Sequence, residues 1–307
     1  MLKFTKSKKG KIIKNFISFY KTCTHFDIVQ TIEYFAVFDG FEDEFLPKET
    51  IFETIYEYIL LRFEKLERHF LFTHDRKEFE DMLICLCRGD RKMHSVYKKC
   101  NISRMSGSKL YKNLFDIGII KKEFSREEPL KKERKQKLKK ALRGYHAEDK
   151  ILFKNEFCRF WFTFIAPNIK LLKNKEFGKV LDIIKNGFEK FVSFTYEILC
   201  KKFLLQKFNE EFESSDSYWS KNVEIDIFLS GKYGKNIAAE AKWKNHLMCR
   251  NILSSLQKKC IREALGVDIF VLFSKSGFSK GLLKMQNEKL LLVDLSEFEK
   301  ICKQEII

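Results

Sequence analysis

The segment Val267–Phe273 places apolar side chains on both parities of an extended run: Val267, Ile269, Val271 and Phe273 on one, Phe270 and Leu272 on the other. A strand that is apolar on both faces must be covered from both sides, which calls for a sheet with helices on each face. The rest of the C-terminal half supplies such cover. Glu156–Ile165 reads as an aromatic-rich helix (Phe157, Phe160, Trp161, Phe162, Phe164) closed by Pro167, and Phe177–Phe208 as a long helix with a break near Gly187. Arg250–Leu265 and Leu295–Lys303 are further helices. Val223–Leu229 and Asn236–Trp243, joined by a Gly231/Gly234 turn, are strands, as is Leu290–Val293. With only 3 Pro and 13 Gly in 307 residues, long helices are favoured over a β-sandwich. The expected class is α+β and helix-rich, with a mixed β-sheet flanked by helices over 151–307.

Residues 1–75 read as a helical region. Phe16, Phe19 and Tyr20, then Ile28, Ile32, Phe35 and Phe38, recur at helical spacing, Gly40 stops the pattern, and Pro47 precedes a helix over Thr50–Phe70. His25, His69 and His74 stand singly and read as packing or surface histidines. Residues 76–125 divide into three short helices: Glu80–Cys87, Ser95–Cys100 and Ser106–Ile117, the last with Leu110, Leu114 and Ile117 on one face. Gly118 suits a left-handed helix end, and Ile119-Ile120 begins an extended segment. The order of turn (Asn101-Ile102-Ser103), third helix, glycine and strand resembles a winged helix-turn-helix. In such modules the third helix enters the major groove. Ser106, Ser108, Lys109, Lys112 and Asn113 would be its outward, nucleic-acid-binding residues; a plain three-helix bundle that packs on a protein partner is the competing reading. Residues 126–150 are a basic linker. Within 121–143, eleven Lys/Arg face four Glu, a net +7, and Glu133–Arg143 has almost no apolar face.

The formal net charge of +17 suits a polyanionic partner, and DNA is the expected one, although an AT-rich genome would also enrich Lys beside the 32 Phe. The 9 Cys form no C-x-x-C pair, so neither a structural zinc nor a disulfide framework is expected. No apolar run is long enough to cross a membrane. Met1–Lys14 is basic with no apolar leader core, and the expected location is cytoplasmic.

Side chains alternate along a strand. Glu224 and Asp226 therefore share one face of Val223–Leu229, and Glu240 and Lys242 share one face of Asn236–Trp243. Paired as a hairpin, these strands would bring Asp226, Glu240 and Lys242 together. Two carboxylates suit a hard divalent cation, Mg2+ with Mn2+ as substitute, whose remaining ligands are water and a substrate phosphate. A lysine beside them suits the orientation of an attacking water. The competing reading is the wet face of an amphipathic hairpin.

Tyr218–Ile227 followed by Ala239-Glu240-Ala241-Lys242-Trp243 resembles the PD-(D/E)-x-K restriction-endonuclease-like superfamily. Within it, the chain is similar to the domain of unknown function at the C-terminus of prokaryotic DEXX-box ATPases. Arg159–Asn168, Tyr196–Cys200, Phe273–Phe278 and Val293–Leu295 are similar to that family's other motifs. The resemblance covers 151–307. It implies Asp226 and Glu240 as metal ligands, Lys242 as catalytic lysine, and Glu197 as an acidic residue of the first core helix, with a helix-face pair to Lys201 as its alternative. No G-x-x-x-x-G-K-[ST] is present, so ATP hydrolysis is not implied. Three functions follow as expectations: a Mg2+-dependent DNA nuclease, a non-catalytic nucleic-acid- or partner-binding protein, and a regulatory protein whose helical N-terminus docks a separate ATPase.

Overall fold

The computed structural model describes residues 11–23, 25–70, 76–127, 137, 147–208, 212–231 and 234–304. The chain forms two compact units. The first comprises residues up to 122 together with 150–195; the second comprises 123–149 and 196–305. The reading from sequence groups 150–195 with the C-terminal sheet instead.

In the first unit, α1 (Lys11–Thr22) and α2 (Ile28–Phe38) meet through an edge-to-face contact of Phe16 and Phe35, with ring centroids 5.2 Å apart. Asp27 and Gln30 close a capping box at the start of α2. The helix expected over Thr50–Phe70 forms in pieces: α3 (Ile51–Ile55), a π-helical turn (Tyr56–Leu60), α4 (Phe63–Glu67) and a 3-10 turn to Phe70. Tyr58, Ile59 and Leu60 are consecutive and all buried. A π turn advances each side chain through a smaller angle than an α-helix does, which gathers these three closer to one side.

The same device recurs between α8 (Glu156–Phe160) and α9 (Ile169–Lys173), where Trp161–Ile165 is π-helical and Phe160, Trp161 and Phe162 are all buried. The aromatic crowding read from the sequence is therefore core. Beneath it Arg159 donates from Nε to Glu156 (2.7 Å) and from a terminal nitrogen to Thr195 (2.7 Å), while its guanidinium stacks 3.7 Å from the Phe191 ring centroid. The break expected near Gly187 does not occur: α10 runs unbroken from Phe177 to Lys207. A Cβ at Gly187 would come within 2.9 Å of the Phe164 ring, so the glycine serves a close approach rather than a kink.

Between these helices lie α5 (Arg76–Arg88), α6 (Met93–Lys99) and α7 (Arg104–Asp116). Asn101 adopts φ 52° in the turn before α7, Ser103 caps that helix, and Gly118 follows it at φ 83°. A two-stranded sheet follows, β1 (Ile120–Glu123) with β2 (Lys150–Phe153), and Lys92 bridges antiparallel to Lys150. The inner face of α7 is Gly107, Leu110, Tyr111 and Leu114. Ile117, expected inward, is exposed because the helix has already ended at its carbonyl.

The second unit is a five-stranded mixed sheet in the order β3-β4-β5-β6-β7. β3 (Phe212–Trp219), β4 (Glu224–Gly231) and β5 (Asn236–Lys242) are antiparallel neighbours. β5, β6 (Ile269–Ser274) and β7 (Leu290–Asp294) are parallel. α11 (Arg250–Arg262) joins β5 to β6, and α12 (Lys280–Leu283) joins β6 to β7. α11 packs Leu253, Leu256 and Cys260 with Phe228, Ala238 and Leu272. On the other face Phe203 of α10 lies against Phe273 (5.6 Å) and against Phe298 (4.8 Å) of α13 (Leu295–Gln304). The outer side of β3 meets the chain's own segment after β1: Ser125 bridges to Ser217, and Arg126 N–H donates to the Ser217 carbonyl.

A Cβ on Gly107 would sit 2.2 Å from the Tyr97 ring. Gly107→Val is expected to cost about 2–3 kcal/mol by overpacking, read as a lower chemical-denaturation midpoint. An unchanged midpoint would mean that α6 and α7 do not pack as described.

Candidate functional site

The site is built on β4 and β5. Ile227 lies opposite Ala239 and Phe228 opposite Ala238. The same register carried one step further brings Asp226 level with Glu240. By parity Asp226 shares the α11 side with Phe228, and Glu240 shares it with Ala238. That face is not wet: Glu240 is 7% exposed, and the Asp226 side chain 18%.

Lys242 places its Nζ 2.5 Å from Glu240 Oε1 and 4.0 Å from Asp226 Oδ2. The structure thus brings together the three residues expected to converge. It adds one that the sequence reading missed: Lys259 of α11 donates to Glu240 Oε2 at 3.1 Å. The only signal for Lys259 was its place on a helix following the second strand, which many lysines of this chain share. Glu197 is half-buried on α10, and its charge acts on Lys242. Lys201, four residues on, donates to Glu123 (2.6 Å) and to Ser217 (2.8 Å). The Ser217 hydroxyl in turn lies 2.8 Å from the Asp226 carbonyl oxygen. A buried Lys201–Glu123–Ser217 cluster therefore backs the strand that carries Asp226.

The two carboxylates titrate differently because they are neutralised differently. Burial, and next the neighbouring Glu240 charge, push the Asp226 carboxyl up to about 6. Burial also pushes Glu240 up, but Lys242 and Lys259 outweigh it and hold Glu240 below its usual range. Lys242 loses by burial and gains more from Glu240 and Asp226, so its ammonium is held above the usual lysine range. One acid is thus firmly ionised and its neighbour poised near neutrality.

The donor chemistry fits a hard divalent cation in part: two carboxylates, one of them destabilised by the other's charge. Among the described residues no group of three or more His, Cys, Asp or Glu side chains gathers to hold a metal, so Asp226 and Glu240 would be the protein's own ligands. Beside them α11 presents Asn251, Ser254, Ser255, Lys258, Lys259 and Arg262 along a cavity of about 400 Å³, with no acidic side chain among its described lining.

A family model described as archaeal and bacterial proteins of unknown function matches residues 161–260. The matched span contains Glu197, Asp226, Glu240, Lys242 and Lys259. No curated protein and no solved structure matches the chain.

In the first unit, Ser106, Ser108, Lys109, Lys112 and Asn113 are all exposed on α7. The Ser106 backbone N–H donates to Ser103 Oγ at the helix start (3.1 Å), and Ser108 Oγ lies 3.4 Å from the Tyr97 hydroxyl. Most of the basic run, with the helix expected at Glu133–Arg143, lies outside the described residues.

An acid whose pKa is raised by folding costs nothing while it is protonated in both states, and its cost grows as pH rises through the folded value. The Asp226 contribution is therefore lost between about pH 4 and pH 6–7. Asp226→Asn is expected to stabilise the protein by about 1–3 kcal/mol at pH 7.5 and to change it little at pH 4. Thermal melts of both proteins at the two pH values check this. A variant that melts lower than wild type at pH 7.5 would show that Asp226 is not strained by its neighbours.

Proposed function

We propose that the second unit hydrolyses phosphodiester bonds in DNA with the help of a divalent metal, and that α7 of the first unit contributes DNA binding. The observation that carries this reading is the Asp226–Glu240–Lys242 cluster, in which one ammonium lies within 4.0 Å of two carboxylates on adjacent strands. The resemblance of Asp226 and the Glu240-x-Lys242 pair to the PD-(D/E)-x-K pattern agrees with it, as does the net charge of +17.

In this reading Asp226 and Glu240 hold Mg2+ or Mn2+. Such a cation, when bound, supplies Lewis acidity that draws charge from a scissile phosphate. Lys242 keeps its proton, held on by both carboxylates, and its ammonium orients the attacking water and offsets negative charge building on the phosphorus oxygens. Lys259 screens Glu240 and stands where the polar stripe of α11 meets the carboxylates. Ser254, Ser255, Lys258 and Arg262 of that stripe suit the backbone phosphates of a substrate strand. The Lys201–Glu123–Ser217 cluster fixes the Asp226 main chain, so the carboxylate keeps its place when its charge state changes. Glu197 adds negative charge on the Lys242 side and is assigned no ligand role.

The competing reading is a fold that holds DNA or a protein partner without cutting. It draws on the two ammonium groups that already neutralise Glu240.

Incubation of the full chain with plasmid DNA separates the two. Nicking or linearisation that requires Mg2+ or Mn2+ and stops with a chelator is expected. Asp226→Ala and Glu240→Ala abolish it, and Lys242→Ala lowers the rate by about 100-fold or more while leaving metal binding intact. Equal cleavage by wild type and Asp226→Ala, or none by wild type, would remove the catalytic reading. DNA binding is measured separately. Affinity is expected to fall steeply with salt, because each neutralised phosphate releases counterions, and the Lys109→Glu/Lys112→Glu variant to bind at least about 10-fold more weakly. Salt-independent binding would assign the three-helix module to a protein partner.

A further inference from the structure

Cys85 lies on α5 and Cys100 closes α6, and their sulfurs are 3.2 Å apart. That is roughly 1 Å more than a disulfide bond. The two are only 15 positions apart in sequence, so a bond between them closes a short ring. Both are free and half-buried. Cys87, two residues further along α5, instead turns its sulfur to the Arg159 carbonyl oxygen at 3.7 Å. Cys158, Cys200 and Cys260 are buried. Among the cysteines whose side chains are described, Cys85 and Cys100 are the two whose sulfurs meet.

We propose that Cys85 and Cys100 form a reversible disulfide site, closed by a low-molecular-weight disulfide of the glutathione type and reopened by thiols. One cysteine thiolate attacks a sulfur of the oxidant, breaks its S–S bond and expels one small thiolate, leaving a mixed disulfide on the protein. The second cysteine thiolate attacks the protein-bound sulfur, forms the Cys85–Cys100 bond and expels the other small thiolate. The two protein thiols lose two electrons and two protons. The oxidant takes up both electrons, and its thiolates are protonated to two thiols.

The surroundings set the rate of closure. Burial first, then the Cys85 sulfur and the Asp81 carboxylate, push the Cys100 thiol up to about 12, while the Lys99 ammonium draws it down. The Lys99 Nζ stands near Gly89 at the end of α5, so it faces the pair from α6. Closure is accordingly slow at neutral pH and faster in mild alkali, where more thiolate is present. The bond would tie α5 to the end of α6, immediately before the turn at Asn101 that leads into α7.

The test uses the full chain, reduced and then exposed to oxidised glutathione at pH 8.5. The expected result is a mass loss of two hydrogen atoms and one linked peptide pair carrying Cys85 and Cys100, both reversed by dithiothreitol. The oxidised protein melts several degrees higher than the reduced one, and Cys85→Ser and Cys100→Ser each lose that oxidant-dependent rise. Stable glutathione adducts on Cys85 or Cys100 without ring closure, linkage of a different pair, or both cysteines still free after prolonged exposure would overturn the proposal. None of these readouts depends on DNA binding or on cleavage, so the outcome is independent of the function proposed above.

Discussion

The antiparallel register of β4 on β5 is the constraint from which the candidate site follows. With Ile227 opposite Ala239, Asp226 and Glu240 are brought level on one side of the sheet, the side that α11 covers. Two carboxylates placed together away from water repel one another, and burial weakens the solvation that would otherwise screen them. The fold answers with cations from two directions: Lys242 from the same strand as Glu240 and Lys259 from the covering helix. Both favour Glu240, and the imbalance leaves Asp226 as the strained member.

Strand parity made this cluster legible in the sequence. A period of two is set by backbone geometry, and Asp226, Glu240 and Lys242 converge as it predicts, although β4 shifts its register against β3 at this point and Ile225 packs with α11 alongside Phe228. Whether their face was wet or covered depended on which side of the sheet α11 folds back onto, and parity carries no such information. Lys259 was missed for the same reason, since its partner lies 19 residues away on another element. β3 escaped notice because Glu-Ser-Ser-Asp-Ser at its centre lacks the apolar alternation of a half-buried strand. Its place at one margin of the sheet lets it be polar. The break expected at Gly187 treated glycine as a local backbone signal, whereas the approach of Phe164 explains the residue without one. The π turns at 56–60 and 161–165 show the limit of periodicity most plainly. Runs of adjacent buried apolar residues fit no fixed helical period, and only the surrounding packing decides how the backbone absorbs them.

Both units bury charge within hydrogen-bonded clusters rather than as isolated pairs. In the first, Arg159 uses its donors on Glu156, Thr195 and the Phe191 carbonyl while stacking on the Phe191 ring. The same unit holds Asp39, whose carboxyl is pushed up to about 7 by burial and then by Glu156. In the second, Lys201, Glu123 and Ser217 satisfy one another. Such clusters contribute modestly to net stability, but removing one member leaves a buried charge exposed to its full desolvation cost, about 3–5 kcal/mol. Lysine in place of Arg159 would lack both the flat stacking surface and the directed donors.

The segment after β1 also does something for the sheet that its length would not suggest. Ser125 and Arg126 take up main-chain groups of Ser217, and the Ser125 hydroxyl accepts the Trp219 N–H at 3.1 Å while donating to the Trp219 carbonyl at 2.7 Å. The end of β3 nearest the carboxylates therefore offers few open hydrogen-bonding groups to another molecule. A margin strand of this kind, polar at its centre and capped at one end by its own chain, resists templating by a second copy. The fold thereby guards against strand-to-strand association at the edge beside the Asp226–Glu240–Lys242 cluster.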